Sequence, residues 1–315
     1  MPTTGDFFYL DPTTIAPGTK PWSKVDGPFR SFALTPRRRS VTNIRDVLSS
    51  PTTPEHTTPG FATDIDIAGF ALHHSPAAEK SFTDPAAVRA GYYAEVEALL
   101  REKLPGKIAR VEIFDHTIRK HDPEAPRQPV QQVHVDQTPA AAAARVRRHV
   151  KDGEAEGLLK NRYQLINVWR PIGHAAADFP LAVVDWRTTT GKDLVPVDLL
   201  YPLHHRAAEG DDDDRGKETL PEVERGLSTE GYEVKGETYG VVEGEGRHRF
   251  YYVKDMTPEE VLFIKCFDSW GAGKEGGREG IAALTPHTAF VDPQTPEGVK
   301  GRESIEVRCL VFYEE

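Results

Sequence analysis

Apolar residues in this chain recur at two spacings, and each predicts its own elements. From Pro85 to Leu104, the residues Val88, Tyr92, Val96, Leu99, Leu100 and Leu104 fall at helical intervals. Thr83-Asp84-Pro85 precedes them as a capping start and Pro105-Gly106 follows as a stop. A second helix is predicted over Pro139–Lys151, from its alanine run and from Arg145, Arg147, Arg148 and Lys151, whose charges suit a helix C-terminus. Elsewhere the runs are short and strand-like: Ile108–Arg119, Val130–Asp136, Arg162–Ile172, Leu181–Trp186, Arg249–Lys254, Val261–Asp268, Leu284–Val291 and Ser304–Tyr313. With 26 glycines and 25 prolines dividing the chain into short pieces, this pattern predicts a mainly β fold, a sandwich or barrel, rather than a helical bundle.

The proline-rich residues 1–60 are expected to form an extended arm packing on the core, and residues 61–315 the main domain. Between Glu209 and Glu218, four consecutive aspartates sit among other charges; they repel one another and cannot fill a core, so a surface loop is expected. Gly271–Gly280 reads as a second loop and lacks the Lys-Ser/Thr ending of a phosphate-binding loop. The absence of any repeat of 20 to 50 residues excludes solenoids and propellers.

Composition narrows the partners. Among 315 residues, 38% are hydrophobic and 28% charged, and no apolar run approaches ~18 residues, which is the pattern of a soluble globular chain without a membrane span. Lys and Arg number 39 against 49 Asp and Glu, a formal charge of -10, so a nucleic-acid partner is not expected: binding would lack counterion release. Cys266 and Cys309, each inside an apolar run, suit reduced buried thiols better than a disulfide. The opening MPTTGDFFYL lacks the basic flank and apolar stretch of a secretory signal, and a cytoplasmic protein is expected.

The stretch that can carry chemistry is Gln131-Gln132-Val133-His134-Val135-Asp136. On a strand, His134 and Asp136 project to the same side and can offer an imidazole nitrogen and a carboxylate oxygen to one cation. Alone, a His-x-acid pair is common by chance. His287 raises its meaning, because fifteen residues later Arg302-x-Ser304 places a guanidinium and a hydroxyl on one strand face. Two neutral imidazoles and one carboxylate cover one face of an Fe(II) shell, leaving the other positions open. An arginine fork beside a hydroxyl is a donor set for the far carboxylate of a 2-oxoacid. By period two Arg308 shares the face of Arg302, so either arginine is a candidate anchor. Gln132 falls on the His134 face and is a further candidate for cosubstrate contact, and Asn167 and Arg170, polar groups in an apolar strand, for substrate contact or for a structural network.

At these residues the chain resembles the Fe(II)/2-oxoglutarate-dependent oxygenases. A narrower resemblance is to the group that includes the AsaB-type hydroxylase/desaturases, the gibberellin A4 desaturase and the cephem methoxylase-related proteins. It rests on Ile166-Asn167-Val168-Trp169-Arg170-Pro171, on Cys266-Phe267-Asp268-Ser269-Trp270, and on Pro286-His287-Thr288 through Arg302-Glu303-Ser304-Ile305-Glu306-Val307-Arg308. The resemblance implies a double-stranded β-helix (jelly-roll) core with flanking helices, and with long insertions because some 150 residues separate Asp136 from His287, one of them around 187–248. It implies Fe(II), 2-oxoglutarate and O2 as cofactors, a small natural-product intermediate as substrate, hydroxylation or desaturation of an unactivated C–H bond, and succinate and CO2 as co-products. A non-catalytic β-barrel that binds a ligand or partners an active homologue is the alternative, and a zinc hydrolase using the same three ligands a third. A homodimer is a reasonable expectation.

Overall fold

The structure, a computed structural model, describes residues 2–49, 64–151, 153–203, 226–273 and 276–314. The acidic segment expected as a loop lies outside these residues. Among the described residues fourteen strands are formed: β1 (Thr3–Leu10), β2 (Trp22–Lys24), β3 (Leu34–Asn43), β4 (Phe70–His74), β5 (Ile108–Lys120), β6 (His134–Val135), β7 (Tyr163–Pro171), β8 (Leu181–Val184), β9 (Leu194–Pro202), β10 (Tyr232–Val241), β11 (Phe250–Tyr252), β12 (Glu260–Asp268), β13 (His287–Ala289) and β14 (Glu303–Tyr313). They make a nine-stranded sheet, in the order β1-β3-β11-β8-β13-β6-β10-β9-β2, and a five-stranded sheet, β4-β12-β7-β14-β5. The fold is mostly β, a double-stranded β-helix-like half-barrel with scattered flanking helices.

Burial explains why some strands are plain in the sequence. In β7 and β12 every residue is buried. One face of this five-stranded sheet, with Leu165, Trp169, Ile264, Cys266, Leu310 and Phe312, packs toward the nine-stranded sheet. The other face, with Ile166, Val168, Phe263, Ile305, Val307 and Cys309, is covered by Val88, Tyr92, Val96 and Leu100 of the predicted helix. Covered on both faces, these strands read as continuous apolar runs. The helix runs through Pro85–Ala87, Val88–Tyr92 and Tyr93–Lys103, and Asp84 caps it by accepting from the Ala86 amide. Burying each of its large apolar side chains contributes roughly 1.5–3 kcal/mol. The second helix spans Pro139–His149, capped by Thr138.

Strands that carry the candidate ligands are much shorter than the pattern predicts. In place of Val130–Asp136, only His134 and Val135 form β6, because the residues before them bond elsewhere: Val133 N–H to the Phe8 carbonyl, and the Val130 carbonyl to Ala289 N–H. Pro286 confines β13 to three residues. The join between β6 and β13 is a single register pair, His134 with His287. The N-terminal segment supplies β1, β2 and β3 to the larger sheet, and 187–248 supplies β9 and β10. Pro36 is tolerated within β3 because β11 pairs only with Val41–Asn43.

Candidate active site

The cross-strand pairing of His134 and His287 brings their rings to 4.5 Å between centroids, and Asp136 lies one residue beyond β6. One donor atom from each of the three residues falls within 4.8 Å of the others. The Nε2 atoms of His134 and His287 stand 3.4 and 3.9 Å from the same oxygen, Asp136 Oδ1. Their other ring nitrogens face carbonyls two residues back: His134 Nδ1 is 2.7 Å from the Gln132 oxygen and His287 Nδ1 is 3.1 Å from the Thr285 oxygen. A carbonyl can only accept, so each Nδ1 carries the proton and each Nε2 directs its lone pair at the shared point.

Asp136 is divided in the same way. Its Oδ2 accepts from Asn167 Nδ2 at 2.7 Å and lies 3.6 Å from Arg308 Nε, which leaves Oδ1 for the two histidines. Arg308 is itself braced by Asp115 at 2.8 Å and Glu306 at 3.4 Å. Burial opposes ionisation of Asp136, but the proximity of His134, His287 and Arg308 holds its carboxyl well below the usual range. Burial also disfavours the charged form of His134, an effect that its contacts with Asp136 outweigh, raising its pKa; His287 is lowered by burial and by His134. An ionised carboxylate and a neutral His287 are the states a cation needs.

Arg302 stands in a different setting. Its residue is 2% exposed, its Nη1 donates to the Phe179 carbonyl at 2.6 Å, and its Nε is buried without a partner. Its backbone N–H donates to Asp178, and the guanidinium carbon lies 5.6 Å from the Trp169 ring centroid. Among the described residues no carboxylate forms an ion pair with it. Burial, reinforced by the charge of Arg119, pushes its pKa down to about 9. Arg119 was not singled out by the sequence; it ends the polar alternation Asp115-x-Thr117-x-Arg119 on β5, which is its signal in the chain. It pairs in register with the buried Ser304, donates to the Gln128 carbonyl, and is pushed down to about 10 by burial.

A cavity of about 220 Å³ is lined by His134, Asp136, Gln132, Arg119 and Arg308, with Val130, Val197, Leu199 and Tyr201 as its apolar wall; His287, Arg302 and Ser304 are not among its lining residues. The Arg302 guanidinium, lowered by burial and by the charge of Arg119 and with an unpartnered buried Nε, fits the carboxylate of a dicarboxylic cosubstrate. The donor set of the triad fits ferrous iron. Of the other candidates, Asn167 serves Asp136, and Arg170 does not join the site. Arg170 lies on the opposite face of β7, donates to the Ser75 and Pro258 carbonyls, and sits 5.1 Å from the Tyr92 ring centroid.

Comparison with known proteins places this geometry. The family model described as "Oxidoreductase/YMDC permease-like domain" matches residues 19–312. The "Hydroxylase/desaturase asaB" of Aspergillus flavus is 38% identical over 164 residues, 51% of this chain and 60% of that protein. The "Fe(II)/2-oxoglutarate-dependent dioxygenase nvfI" of Aspergillus novofumigatus is 34% identical over 239 residues, 73% of this chain and 69% of that protein. A solved structure titled "iron and alpha-ketoglutarate-dependent endoperoxidase NvfI with different conformation" superposes on 100% of this chain and 98% of its own with a TM-score of 0.74 at 24% identity, which establishes a common fold. The chain thus belongs to that matched family and, within it, to the Fe(II)/2-oxoglutarate-dependent oxygenases of the hydroxylase/desaturase type.

Proposed function

We propose that this chain oxidises an unactivated C–H bond of a small natural-product intermediate, by hydroxylation or desaturation, with His134, Asp136 and His287 as the ligands of Fe(II). The observation that carries the reading is the convergence of two Nε2 atoms and one carboxylate oxygen on a single point beside a cavity. When bound, iron with 2-oxoglutarate and O2 supplies the oxidising power, with succinate and CO2 as co-products. The protein's part is positioning. Gln132 and Thr285 carbonyls fix the two imidazoles, and Asn167 and Arg308 hold one oxygen of Asp136 so that the other is presented. Arg302, with Ser304 and Arg119, would hold the far carboxylate of the cosubstrate. The Val130, Val197 and Leu199 wall would bring one C–H bond of the substrate near the reacting centre.

A cytoplasmic setting accords with the two reduced, buried thiols. Among the described residues no helix is long and apolar enough to cross a membrane. A homodimer is the assembly proposed, on the general prevalence of two-fold oligomers. The test is an anaerobic titration of the protein with Fe(II) and 2-oxoglutarate, in which the weak visible charge-transfer band of a chelated ferrous site should develop at one equivalent. A folded protein that shows no band refutes the reading.

A further inference from the structure

The distal histidine owes its orientation to a segment far from it in sequence. His287 Nδ1 donates to the Thr285 carbonyl, and the Thr285 hydroxyl in turn donates to the carbonyl of Gly69. The Gly69 oxygen also accepts from the Lys265 amide of β12 at 2.8 Å. Gly69 adopts φ +91°, and a Cβ there would come within 2.2 Å of the Thr285 hydroxyl oxygen and 3.0 Å of the Leu284 carbonyl oxygen, so the close approach requires glycine. Just upstream, the Ala68 carbonyl accepts from Trp186 N–H and the Asp66 carbonyl from Ala282 N–H. Segment 64–69 therefore crosses between β12 and the residues leading into β13.

This crossing is clamped by charge. Asp66 Oδ1 accepts from Lys265 Nζ and Arg162 Nη2, each at 2.6 Å. The same two cations also reach Asp268 Oδ2, at 2.8 and 2.7 Å, and Gln164 closes the group, donating to Asp268 and accepting from the Tyr313 hydroxyl. Lys265 and Asp268 are fully buried. Two carboxylates matched by two cations, with every contact at hydrogen-bond length, make a rigid anchor rather than a site awaiting a ligand.

We propose that segment 64–69 is the positioning element for the third iron ligand: Asp66 locks it to the five-stranded sheet, and Gly69 with Thr285 sets the carbonyl that aims His287. The inference rests on the reading of His287 as a metal ligand. None of these residues touches the metal point, so Asp66, Gly69 and Thr285 are positioning residues whose loss should lower metal affinity before it alters anything else.

Titration of the full chain with Co(II), followed by its visible d–d bands, tests this without turnover. Thr285→Val keeps the shape and removes the hydroxyl; it should weaken Co(II) binding about tenfold, the low end of the range for partners outside the coordination shell. Thr285→Ser should restore it. Thr288→Val, which removes a buried hydroxyl one residue beyond His287, should leave Co(II) affinity unchanged. Asp66→Asn, in a half-buried residue, should fold and lower affinity by a smaller factor, with unfolding midpoints of the metal-free proteins measured alongside. If the unaltered chain shows no Co(II) bands, the triad reading itself falls. If it binds Co(II) while Thr285→Val and Asp66→Asn bind equally well, segment 64–69 has no such role and the triad stands.

Discussion

Two arginines flank the site, Arg308 on the cavity wall and the buried Arg302 away from that wall, and they are wired in opposite ways. At Asp136, Arg308 is surrounded by acids: Asp115, Glu306 and Asp136 itself all lie within 2.8–3.6 Å. Beside the start of β14, the Arg302 guanidinium has a carbonyl and an aromatic face but, among the described residues, no ion pair with a carboxylate, and after burial the largest effect on it is the charge of another cation, Arg119. A guanidinium whose charge is already matched is part of the scaffold. One left unmatched in a buried place is costly until an anion arrives. The contrast supports the proposal that, of the two arginines spaced six apart, Arg302 holds a cosubstrate carboxylate and Arg308 braces a ligand.

The largest expected effect tests the line between these two settings. Asp136→Ala should reduce turnover by at least ~10³-fold and abolish the Co(II) bands; retention of either would remove the Arg308 setting from the metal site. Next, Arg302→Ala should raise the KM for 2-oxoglutarate on the order of 100-fold with metal affinity unchanged. Arg308→Ala should do the reverse, weakening metal binding and lowering stability by about 3 kcal/mol because the buried Asp115 loses the cation at 2.8 Å from it. If steady-state kinetics and denaturant melts show these two profiles exchanged, the assignment of the two arginines is inverted. The smallest effect needs no iron. Added 2-oxoglutarate at ~100 times its Kd should raise the thermal midpoint of the metal-free protein by a few degrees, and this shift should vanish in Arg302→Ala.

Much of this was legible in the chain, for reasons that particular residues make plain. β7, β12 and β14 announced themselves because both their faces are covered, and the helix ending at Lys103 because its cap, stripe and stop agree. The ligands were legible because a His-x-Asp gains meaning from a distant histidine and an Arg-x-Ser. Arg302 and Arg308 could not be separated, since period two puts them on one face and only the acids of β5 tell them apart. Arg119 went unmarked because its neighbour across the ladder, Ser304, lies 185 positions away in the sequence. Asn167 and Arg170 both enter hydrogen-bond networks, the structural alternative for each: polar residues in an apolar strand call for partners, but the partners can be on either side. β3 was hidden by Pro36, which the larger sheet accommodates at a place where one neighbour is missing.

The nine-stranded sheet is joined through its middle by one residue pair, and that pair is the two histidines. A cation gripped there would act as a rivet across the sheet's thinnest seam, fastening the half built from β1, β3, β11, β8 and β13 to the half built from β6, β10, β9 and β2. Retaining the ion and retaining the architecture become a single requirement, so a chain stripped of its metal should lose continuity first along the line where it would otherwise do its work.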